Sequence, residues 1–169
     1  MRRRRAIASM AGAVAWLSGC DAARSPDTRP RWPALSVRDL AGVPTTLPAT
    51  SRGARVINMW ALWCPPCRRE LPSLERLAST LAPLAIEVFA VALAEDSFPV
   101  REYLAQHAAG LRSVVLSPRL PVVRELGLDA LPQTFLVAPD GRVLAGWVGA
   151  REWDSQAVRN DLERLLKIV

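Results

Sequence analysis

Two cysteines separated by two prolines, Cys64-Pro65-Pro66-Cys67, stand where an apolar run, Val56 to Trp60, gives way to a helix-like pattern. Cysteines three apart at the start of a helix have sulfurs close enough to join in a small ring, with the first expected to stay exposed. Proline is tolerated in the first helical turn, whose amides lack intrahelical partners. Pro65 and Pro66 therefore stiffen the ring without removing helix hydrogen bonds. The first sulfur lies at the positive end of the helix, within reach of amides such as that of Cys67. The helix dipole contributes about 0.3–1 kcal/mol to an anion there, whereas a charge-assisted hydrogen bond contributes about 1.5–3 kcal/mol. Hydrogen bonding dominates, so Cys64 is expected to be the attacking thiolate and Cys67 the buried, resolving sulfur.

Around this centre, strand-like and helical segments alternate. A short hairpin is expected over Ala34 to Leu40 and Thr45 to Leu47, then a strand at Val56 to Trp60 and a helix from Pro65 to Leu81. Leu71, Leu74, Ala78 and Leu81 recur at spacings of three, four and three, a core-facing stripe, while Pro72 removes one backbone bond and is expected to kink the helix. A strand at Glu87 to Val91, a helix near Val100 to Ala108, a strand at Val114 to Leu116 and a short helix near Val122 to Leu126 follow. Such alternation predicts a parallel sheet covered by helices. Thr134 to Val137 and Arg142 to Trp147 flank Asp140-Gly141, a hairpin signal, so the sheet should finish antiparallel and be mixed. A last helix over Ser155 to Ile168 places Val158, Leu162, Leu165 and Val169 on one face.

The chain begins with Arg2 to Arg5, an apolar run from Ala6 to Leu17, and small residues, the three-part pattern of a secretory signal. The run is too short to span a bilayer, which takes about 20 residues. Leu17-Ser18-Gly19-Cys20 resembles a bacterial lipoprotein signal. The resemblance implies residues 1–19 as signal peptide, lipid on Cys20, and anchoring on the extracytoplasmic face of the inner membrane, a sorting for which Asp21 also speaks. Either the general or the twin-arginine export route fits the four arginines. Residues 20–33, with Pro26, Pro30 and Pro33 and few large apolar side chains, read as a mobile tether, and residues 34–169 as one domain.

Composition narrows the partners. The net charge is +6, but without the first 19 residues 18 bases face 16 acids, and there is one lysine, Lys167, so a nucleic-acid binder is not expected. With Cys20 taken by lipid, Cys64 and Cys67 remain as a pair, and adding the single histidine, His107, makes three ligands where a structural zinc site needs four. His107 is read as a solvated helix residue. No metal and no bound cofactor is expected.

The segment VINMWALWCPPCRRELPSLERL resembles the active-site region of membrane-anchored, thioredoxin-like thiol-disulfide oxidoreductases of the TlpA and ResA type. Leu131-Pro132-Gln133-Thr134-Phe135 resembles the loop in which that family holds a cis proline against the cysteine pair. The stretch between Val91 and Pro121 matches the extra helix and strand of this branch, and Asn58 stands where thioredoxin has a buried aspartate. The resemblance implies an α/β thioredoxin-like three-layer fold, with a mixed central sheet, helices on both faces, an N-terminal hairpin and a central helix-strand insertion. It also implies a reductase of specific protein disulfides, such as those of apocytochrome c or copper-site proteins, recharged by a membrane electron donor of the DsbD or CcdA kind. A disulfide oxidase or isomerase, a copper-handling or holdase module, and a peroxidase are rival readings. The protein is expected to act as a monomer.

Several side chains carry two readings. Cis Pro132 would leave the backbone of Leu131 free to pair with an extended client segment. Glu70, three residues after Cys67, matches an acid typical of ResA-type sites and is either a proton carrier or a surface acid paired with a nearby arginine. Trp63 is either a client-docking surface or packing under the helix, and Trp60 is core. Arg68 and Arg69 either help to hold the thiolate or are simply solvated.

Overall fold

The computed structural model describes residues 29–167; the signal segment, Cys20 and most of the tether lie outside the described residues, as does Val169. The strands are β1 (Leu35–Arg38), β2 (Pro44–Leu47), β3 (Arg55–Trp60), β4 (Glu87–Leu93), β5 (Ser113–Leu116), β6 (Gln133–Val137) and β7 (Val143–Val148). The helices are α1 (Pro65–Leu81), α2 (Ser97–His107), α3 (Pro121–Glu125) and α4 (Gln156–Leu166). The strands form one seven-stranded sheet in the order β2-β1-β5-β4-β3-β6-β7. β3, β4 and β5 run parallel, whereas the β1–β2, β1–β5, β3–β6 and β6–β7 pairs are antiparallel. This is the mixed sheet expected, with α2 and β5 as the insertion. No helix among the described residues is long and apolar enough to cross a membrane.

All six residues of β3 are buried, as a strand covered on both faces must be. Alternation along the strands sorts the layers. Asn58 of β3 reaches Glu70 on α1, and Trp60, on the same face, contacts Tyr103 of α2, so α1 and α2 lie on one side. Phe135 of β6 points to the other side, where it meets Trp32 with ring centroids 5.1 Å apart; α3 ends nearby, at Glu125 and Leu126.

Local sequence explains the boundaries. α1 starts where expected because the Cys64 side chain caps it and prolines fill its first two positions, and it continues through Pro72 to Leu81 with Leu71, Leu74, Leu77 and Leu81 buried. α2 begins three residues before the expected Val100, because Asp96 caps it by accepting from the Phe98 amide. In the β6–β7 turn Gly141 has φ +87°, and a Cβ there would meet the Ala49 carbonyl oxygen at 2.9 Å. α4 is capped by Ser155 and buries Val158 and Leu162.

The tether reading does not hold for its last residues. Pro30 to Pro33 belong to the domain: Arg31 makes an antiparallel bridge to Arg142, the Trp32 amide donates to the Gly141 carbonyl at 2.8 Å, and the Val143 amide donates to that of Pro30 at 2.9 Å. Trp32 is 2% exposed. Its indole supplies the apolar area that closes the sheet face over Phe135, which three flanking prolines had disguised as a linker.

Candidate active site

The C-terminal end of central strand β3 delivers the chain directly into the cysteine ring. Ala61 begins a tight turn in which the Cys64 amide donates to the Ala61 carbonyl at 3.1 Å, and the helix starts at Pro65. Cys64 and Cys67 are joined, with a sulfur–sulfur distance of 2.02 Å and Cα atoms 5.3 Å apart. The Cys64 sulfur also accepts from the Cys67 amide at 3.3 Å, the helix-start contact expected for a stabilised thiolate.

The burial of Cys64 corrects the sequence reading. Cys64 is 3% exposed and Cys67 is fully buried, so in the disulfide form neither sulfur stands open to solvent. In the closed ring the Cys64 sulfur faces the Cys67 amide. What lies open is Trp63, 75% exposed immediately before the ring, so packing of Trp63 under the helix is excluded. Pro65 is exposed, Pro66 half-buried, and Arg68 and Arg69 are exposed; Arg68 sits over the Tyr103 ring at 6.0 Å.

The Leu131–Pro132 peptide bond is cis, as the motif implied. Leu131 is half-buried and Pro132 buried, at the head of β6 beside the end of β3, where Gln133 pairs with Met59. The Pro132 carbonyl accepts from the Gly149 amide at 2.8 Å, which ties this loop to the end of β7.

Glu70 is not a surface acid. It is 1% exposed, and its carboxylate accepts three hydrogen bonds: from Asn58 Nδ2 at 2.7 Å to Oε1, and from the Arg151 amide and Trp153 Nε1, both at 2.9 Å, to Oε2. Asn58 Nδ2 also reaches Thr134 Oγ1 at 2.8 Å. Burial pushes the Glu70 carboxyl above the usual carboxylate range, and the three donors with the Arg151 charge oppose that rise only in part. The carboxyl so placed belongs to a residue one helical turn after Cys67 and on the same face of α1.

Thr134, Ser73, Arg151 and Trp153 were not recognisable as site residues. Arg151 and Trp153 stand 81 and 83 positions from Glu70, beyond any local pattern. The one available sign was Trp153 itself, a lone large apolar residue inside Arg151-Glu152-Trp153-Asp154; it is fully buried. His107 is stacked on Tyr103, ring centroids 4.2 Å apart, with Nδ1 2.9 Å from the Tyr103 carbonyl, so it is more than a solvated side chain. Among the described residues no group of three or more His, Cys, Asp or Glu is placed to hold a metal ion. A groove of about 660 Å³ lined by Arg52, Ala78, Ile86 and Arg112 lies toward the far end of α1 from the cysteines.

Fold and site together define a thioredoxin-fold thiol-disulfide oxidoreductase of the TlpA and ResA type. A model of the Redoxin family matches residues 26–166, and the chain belongs to that family. It is 32% identical over 116 residues to the thiol:disulfide interchange protein DsbE homolog of Paracoccus denitrificans (strain Pd 1222), covering 68% of this chain and 62% of that protein, less than two thirds of its length. It is 26% identical over 136 residues to the thiol-disulfide oxidoreductase ResA of Bacillus thuringiensis (strain Al Hakam), covering 80% and 74%. The crystal structure of a putative DsbE from Chlorobium tepidum superposes with a TM-score of 0.71 at 25% identity, over 84% of this chain and 99% of that one.

Proposed function

We propose that this protein works outside the cytoplasm, tethered to the inner membrane through lipid on Cys20, and reduces specific protein disulfides with the Cys64/Cys67 dithiol. Clients of the apocytochrome c or copper-site kind suit that role, as does a membrane electron donor of the DsbD or CcdA kind. The observation that carries the reading is the ring itself: a disulfide at a helix start whose first sulfur already accepts an amide hydrogen bond, with exposed Trp63 on one side.

In the reductive direction the Cys64 thiolate attacks one sulfur of the client disulfide. A mixed disulfide forms, and the client's other sulfur leaves as a thiolate, taking a proton from solvent. Cys67 then gives its proton to the Glu70 carboxylate and attacks the Cys64 sulfur. The Cys64–Cys67 bond forms, and the second client sulfur departs with the bonding pair and is protonated in turn. Two electrons and two protons have passed to the client, and no bound cofactor is needed because the dithiol carries both. Trp63 and the backbone of Leu131 hold the client segment, the latter by a short piece of strand pairing. The protein acts as a monomer.

The opposite direction, oxidation or isomerisation of clients, uses the same atoms, and the potential of the couple separates the two. Client capture tests the assignment of roles. A Cys67→Ser variant should accumulate mixed disulfides through Cys64 with extracytoplasmic proteins, and a Cys64→Ser variant should not. Equal trapping by Cys64→Ser, or faster alkylation of Cys67 than of Cys64 in the reduced protein, would overturn it. Cys20→Ala should release the protein from membranes while sparing exchange in solution; continued membrane association would show another anchor.

A further inference from the structure

The five residues from Gly149 to Trp153, between β7 and α4, touch both working parts of the site. At one end the Gly149 amide donates to the Pro132 carbonyl at 2.8 Å, and Gly149 has φ +90°. Further along, the Arg151 amide donates to Glu70 Oε2, and Ser73 Oγ lies 3.4 Å from the Arg151 carbonyl oxygen. At the other end the Trp153 amide donates to Ser73 Oγ at 3.0 Å, while its indole Nε1 donates to Glu70 Oε2 at 2.9 Å. The Trp153 ring is fully buried and meets Trp147 edge-on, centroids 5.8 Å apart. The indole is therefore held by packing and by its own backbone, with its single N–H aimed at one carboxylate oxygen.

We propose that Trp153 is a positioning residue for thiol-disulfide exchange: its indole N–H holds Glu70 Oε2 and thereby sets the pH at which that carboxyl takes up the Cys67 proton. The inference rests on the proton-carrier reading of Glu70 given above. An indole N–H only donates, so its bond to Oε2 favours the carboxylate over the neutral acid. Burial works the other way. The groups that meet this carboxyl are Asn58 from β3 and Arg151 and Trp153 from the 149–153 segment, with Thr134 of β6 behind Asn58; Cys67 stands one turn earlier on α1, and Ser73 Oγ bonds the Glu70 backbone carbonyl. Of these, Arg151 carries the fixed charge, so removing the indole N–H should move the Glu70 proton equilibrium without unpairing Oε1.

The test uses the full chain in its reduced form, reacting with glutathione disulfide across a range of pH. Each turnover oxidises the protein dithiol to the Cys64–Cys67 disulfide and yields two glutathione thiols. Trp153→Phe keeps an aromatic side chain, smaller than the indole, and loses the N–H; the midpoint of the pH–rate profile should move to higher pH by about one unit. In a Glu70→Gln background the same substitution should move nothing. The wild-type indole N–H nuclear magnetic resonance signal of Trp153 should titrate with the same midpoint and lie flat in Glu70→Gln. A Trp153→Phe profile that overlays wild type, while Glu70→Gln shifts it, would overturn the positioning role and leave the proton carrier standing. A profile unmoved by Glu70→Gln would overturn both. If Trp153→Phe does not fold, the resonance decides alone: no titration in wild type overturns the proposal.

Discussion

Truncating Trp32 tests where the domain begins. The indole is 2% exposed against Phe135, and the extended backbone that carries it is held by pairing to Gly141 and Val143. A buried tryptophan side chain removes about 150–250 Å² from water, worth about 4–6 kcal/mol at 25 cal/mol per Å², and tryptophan-to-alanine changes in cores cost about 3–5 kcal/mol. Against that, the Trp32 Nε1 is buried with no hydrogen-bond partner among the described residues, a burden of about 1–3 kcal/mol that alanine relieves. Trp32→Ala should therefore lower the unfolding free energy by about 2 kcal/mol, the middle of the truncation cost less the middle of that burden. Urea denaturation of the oxidised protein measures it, and a chain starting at Arg29 should match wild type within about 0.5 kcal/mol. A loss under about 0.5 kcal/mol for Trp32→Ala would refute the reasoning and return the strip to the tether. The boundary matters for function: in the lipid-anchored form proposed here, the chain from Cys20 to Arg29 reaches at most about 30–36 Å, and it joins the domain at the β6–β7 turn, the opposite end of β6 from Pro132.

Three further expectations concern the site and its frame. Because burial raises the Glu70 carboxyl, the native state binds more protons than the unfolded chain between the ordinary carboxylate pKa and the raised one. Stability should fall as pH rises through that window, and Glu70→Gln should flatten the slope in denaturation at several pH values; equal slopes would contradict the assignment. Trp63→Ala should leave the unfolding free energy within about 0.5 kcal/mol, since the ring is 75% exposed, yet slow reduction of a protein client about tenfold; an unchanged rate would remove Trp63 from the docking surface. Gly141→Ala should destabilise by more than about 1 kcal/mol, because φ is +87° and the new Cβ would press on the Ala49 carbonyl, and a stabilised variant would refute the strained turn.

What was legible in the sequence was local. α1 could be bounded to the residue because its cap, its prolines and its apolar stripe are written in neighbouring positions, and β3 to within one residue, because its buried run is mostly apolar but begins at Arg55, ahead of Val56. α2 begins at Ser97, three residues ahead of the first buried position, Val100, because Asp96 caps it. Trp32 was lost among prolines, since burial of a lone aromatic depends on a partner, Phe135, more than a hundred residues away. Separation in sequence also hid the 149–153 segment: nothing near Arg151 or Trp153 shows that their N–H groups end on Glu70, 81 and 83 positions away. Cys64 was legible as a chemical group but not in its exposure, which depends on the residues packed around the ring.

The central claim, a reversible Cys64–Cys67 couple that runs as a reductant, is tested most directly by equilibrating the purified protein in glutathione or dithiothreitol buffers of graded potential and measuring the state of the Cys64–Cys67 peptide by alkylation and mass spectrometry. A two-electron transition with a midpoint below about −200 mV is predicted, the peptide gaining two alkyl groups when reduced and weighing two daltons less when oxidised. No transition at any potential, or a midpoint near the −120 mV or so of strong oxidants, would contradict it.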